Sequence, residues 1–207
     1  SQITYAAPTN KPLIFWVDND ENNTHKINHG LWQALLDSYL TSNHPSGVNR
    51  FNYAMVTSGD RKKLNDYLNN LQQLDPRTYN RAEQQAYWIN LYNALTVELI
   101  LKNYPVESIT KLGESYFSFG PWDDNVATIQ GKKLSLNNIE HGILRALFKD
   151  NRIHYAVNCA SISCPNLAAQ AFTAENTNQL LDQGAKQYVN HPRGVVFKDD
   201  TLKVSSI

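Results

Sequence analysis

The fold is decided by residues 80–103, which read NRAEQQAYWINLYNALTVELILKN. Apolar side chains recur along this stretch at the spacing of an α-helix. At roughly 100° per residue, one stripe of the helix carries Ala86, Asn90, Asn93, Val97 and Leu101. The sequence therefore predicts a long helix that places two amide side chains on an otherwise apolar face.

Buried amides need hydrogen-bond partners, because an unsatisfied one costs about 1–3 kcal/mol. We therefore expect Asn90 and Asn93 to bind the backbone, each other or a functional side chain. That they fasten a neighbouring loop is at least as well supported by the sequence as a direct role in catalysis.

The rest of the chain is typical of an α+β fold, helix-rich with a small antiparallel sheet from the C-terminal half. We expect one domain over residues 31–207 after an N-terminal extension of residues 1–30. Further helices are predicted over residues 31–40, 60–74 with Asp60 as N-cap, 135–148 and 175–189, and a short one at Cys164-Pro165. Strands are predicted over residues 126–129, 133–136, 153–158, 195–197 and 202–204.

The predicted helix over residues 135–148 carries an acidic and a basic side chain next to each other. Glu140 falls within about 40° of the middle of its apolar face, so we expect the carboxylate to be buried and to have a defined partner. His141 lies on the flank of that face. Gly142 follows, and because it lacks a side chain it lets another segment approach closely.

The two cysteines lie in residues 154–165, HYAVNCASISCP. A cysteine nucleophile needs a base that takes its proton and a group that orients the base. Cys159, His141 and Glu140 meet this requirement, and Asn90 or Asn93 are further orienting groups. His154 is a weaker base, because positions 154 and 159 of a strand point to opposite faces. Cys164 has its own claim, since the start of a helix lowers the pKa of a thiol.

Two other interpretations of the cysteines remain open. A disulfide between Cys159 and Cys164 would close a short ring with restrictive geometry. A zinc site would use both thiols with His141 or His154, but the spacing matches no zinc-finger pattern and a fourth ligand is not evident.

Composition limits the class of partner. Lys plus Arg and Asp plus Glu number 19 each, and no basic stripe is present, so a nucleic-acid partner is not expected. No apolar run reaches 18 residues, so no integral membrane segment is expected either. We expect a peptide or small-molecule partner. The chain begins at Ser1, which suits a processed, exported protein and a chain cut at an arbitrary point equally well.

Residues 116–122, YFSFGPW, form a loop according to their Gly-Pro turn chemistry. Trp122 and the aromatic residues before it are equally suited to lining a ligand cleft and to covering the core.

The chain resembles the domain of unknown function 547 family. The resemblance rests on three motifs in order, YWINLYNALT at 87–96, LSLNNIEHGILR at 134–145 and HYAVNCASISCPNL at 154–167. With the weaker VNRFNY at 48–53, they cover the chain from about residue 31 to its end.

The resemblance implies an α+β domain, often exported in bacteria, and hence a periplasmic or secreted location. It also implies a thiol-peptidase or transglutaminase-like site, in which the family's Cys matches Cys159, its Glu-His pair Glu140 and His141, and its helix asparagines Asn90 and Asn93. Some relatives have Ser or Asp at the position of Cys164, which favours Cys159 as the nucleophile over a disulfide or zinc. Relatives usually continue past the last hairpin, so we expect a short C-terminal segment to be missing.

Two functional hypotheses follow. In the first, a cysteine-dependent hydrolase or acyltransferase acts on a peptide or glutamyl amide, without a cofactor, through Cys159, His141 and Glu140. In the second, a non-catalytic binding or scaffold domain uses Glu140, His141, Asn90 and Asn93 as a buried polar network.

Overall fold

A computed structural model of the protein describes residues 11–105, 112, 121–198 and 200–205. The predicted helix-rich α+β fold is confirmed. The α-helices are α1 (Gly30–Tyr39), α2 (Ser58–Gln73), α3 (Arg81–Asn103), α4 (Arg145–Phe148) and α5 (Thr177–Val189). A π-helix, Asn138–Leu144, leads directly into α4, and shorter 3-10 helices span Ile14–Trp16, Tyr53–Met55, Pro76–Thr78 and Asn151–Tyr155. Among the described residues, no helix has the length and apolar character needed to cross a membrane.

The strands within the described ranges form three separate antiparallel pairs. These are β1 (Leu40–Thr41) with β2 (Arg50–Phe51), β3 (Ala127–Ile129) with β4 (Lys132–Leu134), and β5 (Val195–Lys198) with β6 (Thr201–Val204). Gln130 and Gly131 connect β3 to β4 with φ angles of 47° and 71°. Two positive φ angles are what a two-residue hairpin turn requires, so this predicted hairpin is confirmed with slightly shorter strands.

Helix α3 lies at the centre of the core. Asn80 caps its start, because the Asn80 side chain accepts a hydrogen bond from the Glu83 N–H. The helix is buried on every side rather than along one stripe, and side chains pointing in all directions have no exposed surface, including Ala86, Tyr87, Ile89, Leu91 and Ala94. A helix that is apolar all round belongs inside a protein, where the surrounding elements must cover it completely.

The segment before α1 contributes to the same core. Trp16 and Ile27 are buried, and the Trp16 ring meets the Trp88 ring of α3 edge to face at 5.1 Å between centroids. Leu13 packs against Gly142, where an added Cβ atom would lie 2.8 Å from Leu13 Cγ. The Leu13 N–H also donates to the Gly142 carbonyl at 2.9 Å. Gly142 therefore admits a neighbouring segment, as its sequence context predicted.

The prediction of a strand over residues 153–158 is wrong. Residues Asn151–Tyr155 form a 3-10 helix instead, which begins after Asp150, whose carboxylate accepts a hydrogen bond from the Arg152 N–H. This short helix packs on α5 at Gly184, where a Cβ atom would lie 2.9 Å from the Tyr155 carbonyl oxygen. The buried residues of this segment, Ile153, Ala156 and Val157, recur after three residues rather than at every second position, as a helical turn requires.

Two smaller predictions are also wrong. Helix α2 is capped by Thr57, whose hydroxyl accepts from the Asp60 N–H, so Asp60 lies in the first turn. No helix begins at Cys164-Pro165, because the Cys164 N–H donates to the Ser161 carbonyl at 3.0 Å and closes a turn. The helix-end argument for a lowered pKa of Cys164 therefore does not apply.

His29 is a buried imidazole next to α1. Its Nδ1 lies 2.7 Å from the Tyr67 hydroxyl, and its Nε2 has no hydrogen-bond partner among the described residues. Burial lowers the pKa of His29 from 6.5 to about 4. The folded protein thus holds a neutral imidazole over a pH range in which the unfolded chain binds a proton.

We expect this difference to destabilise the protein as the pH falls from 6.5 to 4. His29 would then cost roughly 3 kcal/mol of unfolding free energy by pH 4, because the unfolded state binds the extra proton. Urea unfolding between pH 4 and 7 measures how steeply the free energy of unfolding changes with pH. His29→Gln should flatten the slope, and replacement of the exposed His25 by Gln should leave it unchanged; equal slopes in all three proteins would refute this assignment.

Candidate functional site

The predicted acidic and basic pair lies in the π-helix rather than in an α-helix. Its backbone bonds run from residue i to i+5, as in the Arg145 N–H that donates to the Glu140 carbonyl. Ser135 and Asn138 fix its start with reciprocal bonds, 3.0 Å from the Ser135 N–H to Asn138 Oδ1 and 3.1 Å from the Asn138 N–H to Ser135 Oγ. Short π-helical segments occur frequently at functional sites.

Three cationic or titratable groups surround the Glu140 carboxylate. Its Oε1 atom lies 3.9 Å from His141 Nε2, 3.7 Å from Arg145 Nη1 and 3.7 Å from His154 Nδ1. The carboxylate side chain is 14% exposed and that of His141 is 12% exposed. Glu140 is therefore largely buried and has defined partners, as the sequence predicted. We call Glu140, His141, Arg145 and His154 the carboxylate cluster.

The electrostatics of the carboxylate cluster keep its acid ionised. Burial opposes ionisation of Glu140, but His154, His141 and Arg145 outweigh it and hold the pKa below its usual value. Burial lowers the pKa of His141, although the charge of Glu140 partly compensates. Burial and the Glu140 charge raise the pKa of Tyr92 well above its usual value, so its phenol keeps its proton. The cluster thus combines an anionic carboxylate with an imidazole that is unprotonated near neutral pH.

His154 faces Glu140, which corrects the expectation that it points away. That expectation assumed a strand, whereas the 3-10 helix turns the ring towards the π-helix. Its Nδ1 is buried and has no hydrogen-bond partner within the described ranges, and the 3.7 Å to Glu140 is an ion-pair distance rather than a hydrogen bond. Arg145 and His154 were missed as members of this cluster, because the i to i+5 spacing and the 3-10 turn are not visible in apolar periodicity.

The two helix asparagines bind backbone. Asn90 Nδ2 donates to the Phe172 carbonyl at 2.7 Å, and its Oδ1 accepts from the Phe172 N–H at 2.9 Å. Asn93 Nδ2 donates to the Ala156 carbonyl and its Oδ1 accepts from the Asn158 N–H, both at 2.9 Å. Each amide uses a donor and its acceptor on an irregular segment, which is the loop-fastening role that the sequence left open.

The two cysteines form a disulfide in the structure, with 6.0 Å between their Cα atoms. In this state neither sulfur is a free thiol or a thiolate ligand for zinc. Cys164 is 4% exposed and Cys159 is half-buried, so Cys159 is the more accessible of the two residues. We call residues 159–164 the disulfide loop.

Side chains from several elements hold the disulfide loop. The Asn158 amide donates to the Pro165 carbonyl at 2.7 Å, and its oxygen accepts from the Ala160 N–H at 2.9 Å. The Tyr188 hydroxyl donates to the Ser163 carbonyl, and Arg193 Nη1 donates to the carbonyls of Ile162 and Cys164. The loop is thus fixed at both ends, although Ala160 has a φ of 55° in the left-handed region that a non-glycine residue rarely adopts.

Trp122 lies near the start of the π-helix. Its ring is half-buried and packs against the core, and its carbonyl accepts from the Asn137 N–H at 2.9 Å. Residues 116–120 of the aromatic loop lie outside the described residues. Whether Trp122 and the other predicted residues act on a substrate stays a prediction; the structure brings Glu140 and His141 together and bonds Cys159 to Cys164.

The fold and site define an α+β domain in which one buried helix, α3, packs against the π-helix of the carboxylate cluster and binds the residue that precedes the disulfide loop. The chain belongs to the DUF547 family, described as proteins of unknown function, whose family model matches residues 76–189, slightly more than half of the sequence. This match confirms the family that the motifs indicated. No curated protein and no protein of known structure matches the sequence at a significant level.

We expect the Asn93→Ala variant to be strongly destabilised. The change leaves the Ala156 carbonyl and the Asn158 N–H without their partner, which should lower the free energy of unfolding by about 2–4 kcal/mol. Asn103→Ala is the matched control, because Asn103 lies at the exposed end of the same helix and its side chain binds, among the described residues, only the Leu99 carbonyl. Its effect should stay within about 0.5 kcal/mol. Urea unfolding measures the free energy of unfolding of both variants. Similar losses in the two variants would contradict the role of Asn93 as an asparagine clamp, that is, a side chain that holds the backbone at Ala156 and Asn158.

Proposed function

We propose that the protein is a cysteine-dependent hydrolase or acyltransferase that acts on a peptide or glutamyl amide when its disulfide is reduced. The observation that carries the proposal is the pairing of Glu140 with His141, 3.9 Å apart and largely buried in the π-helix. An imidazole whose pKa burial has lowered is able to accept a thiol proton, and a neighbouring carboxylate stabilises the imidazolium that forms.

The reaction begins with reduction of the disulfide by an external thiol, which leaves both cysteines as thiols. Cys159 then transfers its proton to His141, and the thiolate attacks the carbonyl carbon of the amide. His141 returns the proton to the leaving amine as the tetrahedral intermediate collapses to a thioester. Water or a second amine releases the acyl group, so no cofactor is needed.

Backbone N–H groups of the disulfide loop are the proposed donors to the oxyanion. Two of them already have partners, since the Ala160 N–H binds Asn158 Oδ1 and the Cys164 N–H binds the Ser161 carbonyl. Within residues 160–164, the N–H groups of Ser161, Ile162 and Ser163 are the remaining donors. They lie between the anchored ends of the loop and close to the more accessible cysteine, Cys159.

A second candidate function is a non-catalytic binding or scaffold domain. Two observations favour it. Asn90 and Asn93 use their amide groups to bind backbone, and the two sulfurs are bonded to each other. In this case Glu140 serves the fold, because it neutralises Arg145 and holds His154 against the π-helix. Cys159→Ser would then leave the biological output unchanged, whereas Glu140→Ala would destabilise the fold.

Thiol reactivity tests the catalytic proposal. After reduction with a phosphine, we expect iodoacetamide at neutral pH to label Cys159 faster than Cys164. His141→Ala should slow labelling of Cys159 about tenfold or more, because the thiolate loses its base. Trypsin releases both cysteines on one peptide, residues 153–186, so fragmentation of that peptide in the mass spectrometer measures the rate at each cysteine.

The exposed His25 provides the matched control, and His25→Ala should leave labelling unchanged. Cys164→Ser frees Cys159 without reductant and should show the same dependence on His141. Slow labelling of Cys159 that His141→Ala does not alter, in variants whose circular dichroism matches the parent, would overturn the catalytic proposal.

A further inference from the structure

A pocket lies between the β1–β2 hairpin and the disulfide loop. Its volume is about 500 Å³, within the range of pockets that hold small ligands or a peptide side chain. The walls are largely apolar, with Val48 and Phe51 on the hairpin side and Leu167 on the other. Ile162, at the tip of the disulfide loop, borders the pocket and is 79% exposed.

Hydrogen bonds fix the two walls relative to each other. The Asn49 N–H donates to Asn166 Oδ1 at 3.1 Å, Asn49 Nδ2 donates to the Leu167 carbonyl at 2.8 Å, and Asn166 Nδ2 donates to the Gly47 carbonyl at 3.0 Å. Arg193 Nη2 also donates to Asn166 Oδ1 at 3.0 Å. The pocket is therefore preformed, which lowers the entropy cost of binding a ligand.

Among the described residues that line the pocket, Arg50 and Tyr53 are titratable, and none is a carboxylate. The described lining therefore has one cation and no anion. Burial raises the pKa of Tyr53 to about 12, so its phenol stays neutral at physiological pH. Within the part of the chain that the structure describes, the Arg50 guanidinium makes no hydrogen bond or ion pair. An unpaired guanidinium beside an apolar cavity is complementary to a carboxylate with a neighbouring apolar group.

We propose that this pocket binds a peptide segment in which an acidic side chain lies next to a large aromatic or aliphatic one. Arg50 binds the carboxylate at the rim, and the apolar side chain fills the space between Phe51 and Leu167, with Ile162 closing over it. The site goes beyond the proposed catalysis, because its walls are complete while the disulfide is intact. A ligand bound there lies directly against Ser161 and Ile162 of the disulfide loop.

Binding of two short peptides to the oxidised protein tests the pocket. The probes are N-acetyl-Phe-Glu amide and its uncharged counterpart N-acetyl-Phe-Gln amide, titrated with NMR detection of backbone amides. We expect the acidic probe to bind about fivefold to tenfold more tightly and to shift the signals of Asn49 and Ile162. Added salt should reduce this preference, since the contact with Arg50 is at the surface.

Three variants separate the contribution of the Arg50 charge to binding from that of the apolar contact with Ile162. Arg50→Gln should remove the preference for the acidic probe, while Arg61→Gln, at an exposed arginine of α2, should retain it. Ile162→Ser should weaken the binding of both probes to the same extent. The proposal is overturned if both probes bind equally, if Arg50→Gln keeps the preference, or if neither probe gives saturable shifts up to about 10 mM. Because these titrations use the oxidised protein, their outcome is independent of the Cys159 labelling experiment.

Discussion

The structure depends on the satisfaction of two amide groups inside the core. Helix α3 is covered on every side, so water cannot reach Asn90 and Asn93, and their hydrogen bonds must come from protein. Backbone groups supply these bonds: Asn90 binds Phe172, and Asn93 binds Ala156 and Asn158. Because each asparagine offers a donor and an acceptor in fixed geometry, these irregular segments can lie on α3 in only one register.

This constraint positions the site. Asn93 holds the residue before Cys159, and the preceding residue of the same helix, Tyr92, lies beside Glu140. The disulfide loop and the carboxylate cluster are thus attached to consecutive residues of one rigid element. From the loop, Asn166 extends the arrangement to the β1–β2 hairpin and completes the peptide pocket. Catalysis and binding would both use geometry that the interior of α3 defines.

The sequence predicted the parts that follow from side-chain chemistry. Three features could be inferred from the place of single residues in a helical pattern. They are the burial of two amides on α3, a hydrogen-bonded or charged partner for Glu140, and a close approach of another segment at Gly142. The missed features depend on backbone geometry that periodicity does not reveal. Residues 153–158 were predicted as a strand, but residues 151–155 form a 3-10 helix, and the π-helix brings Arg145 to Glu140 through an i to i+5 spacing that an α-helix lacks. The disulfide was one of three possibilities, since spacing alone permits all of them.

Native-state hydrogen exchange tests the central claim most directly. If the asparagine clamps hold, the amide protons of Asn158 and Phe172 should exchange only when the whole protein unfolds, with the same free energy as amides in the middle of α3. Exchange through local opening, at a free energy about 2 kcal/mol or more below that of α3, would contradict the claim. It would mean that the segments around the disulfide loop are not fixed by the buried helix.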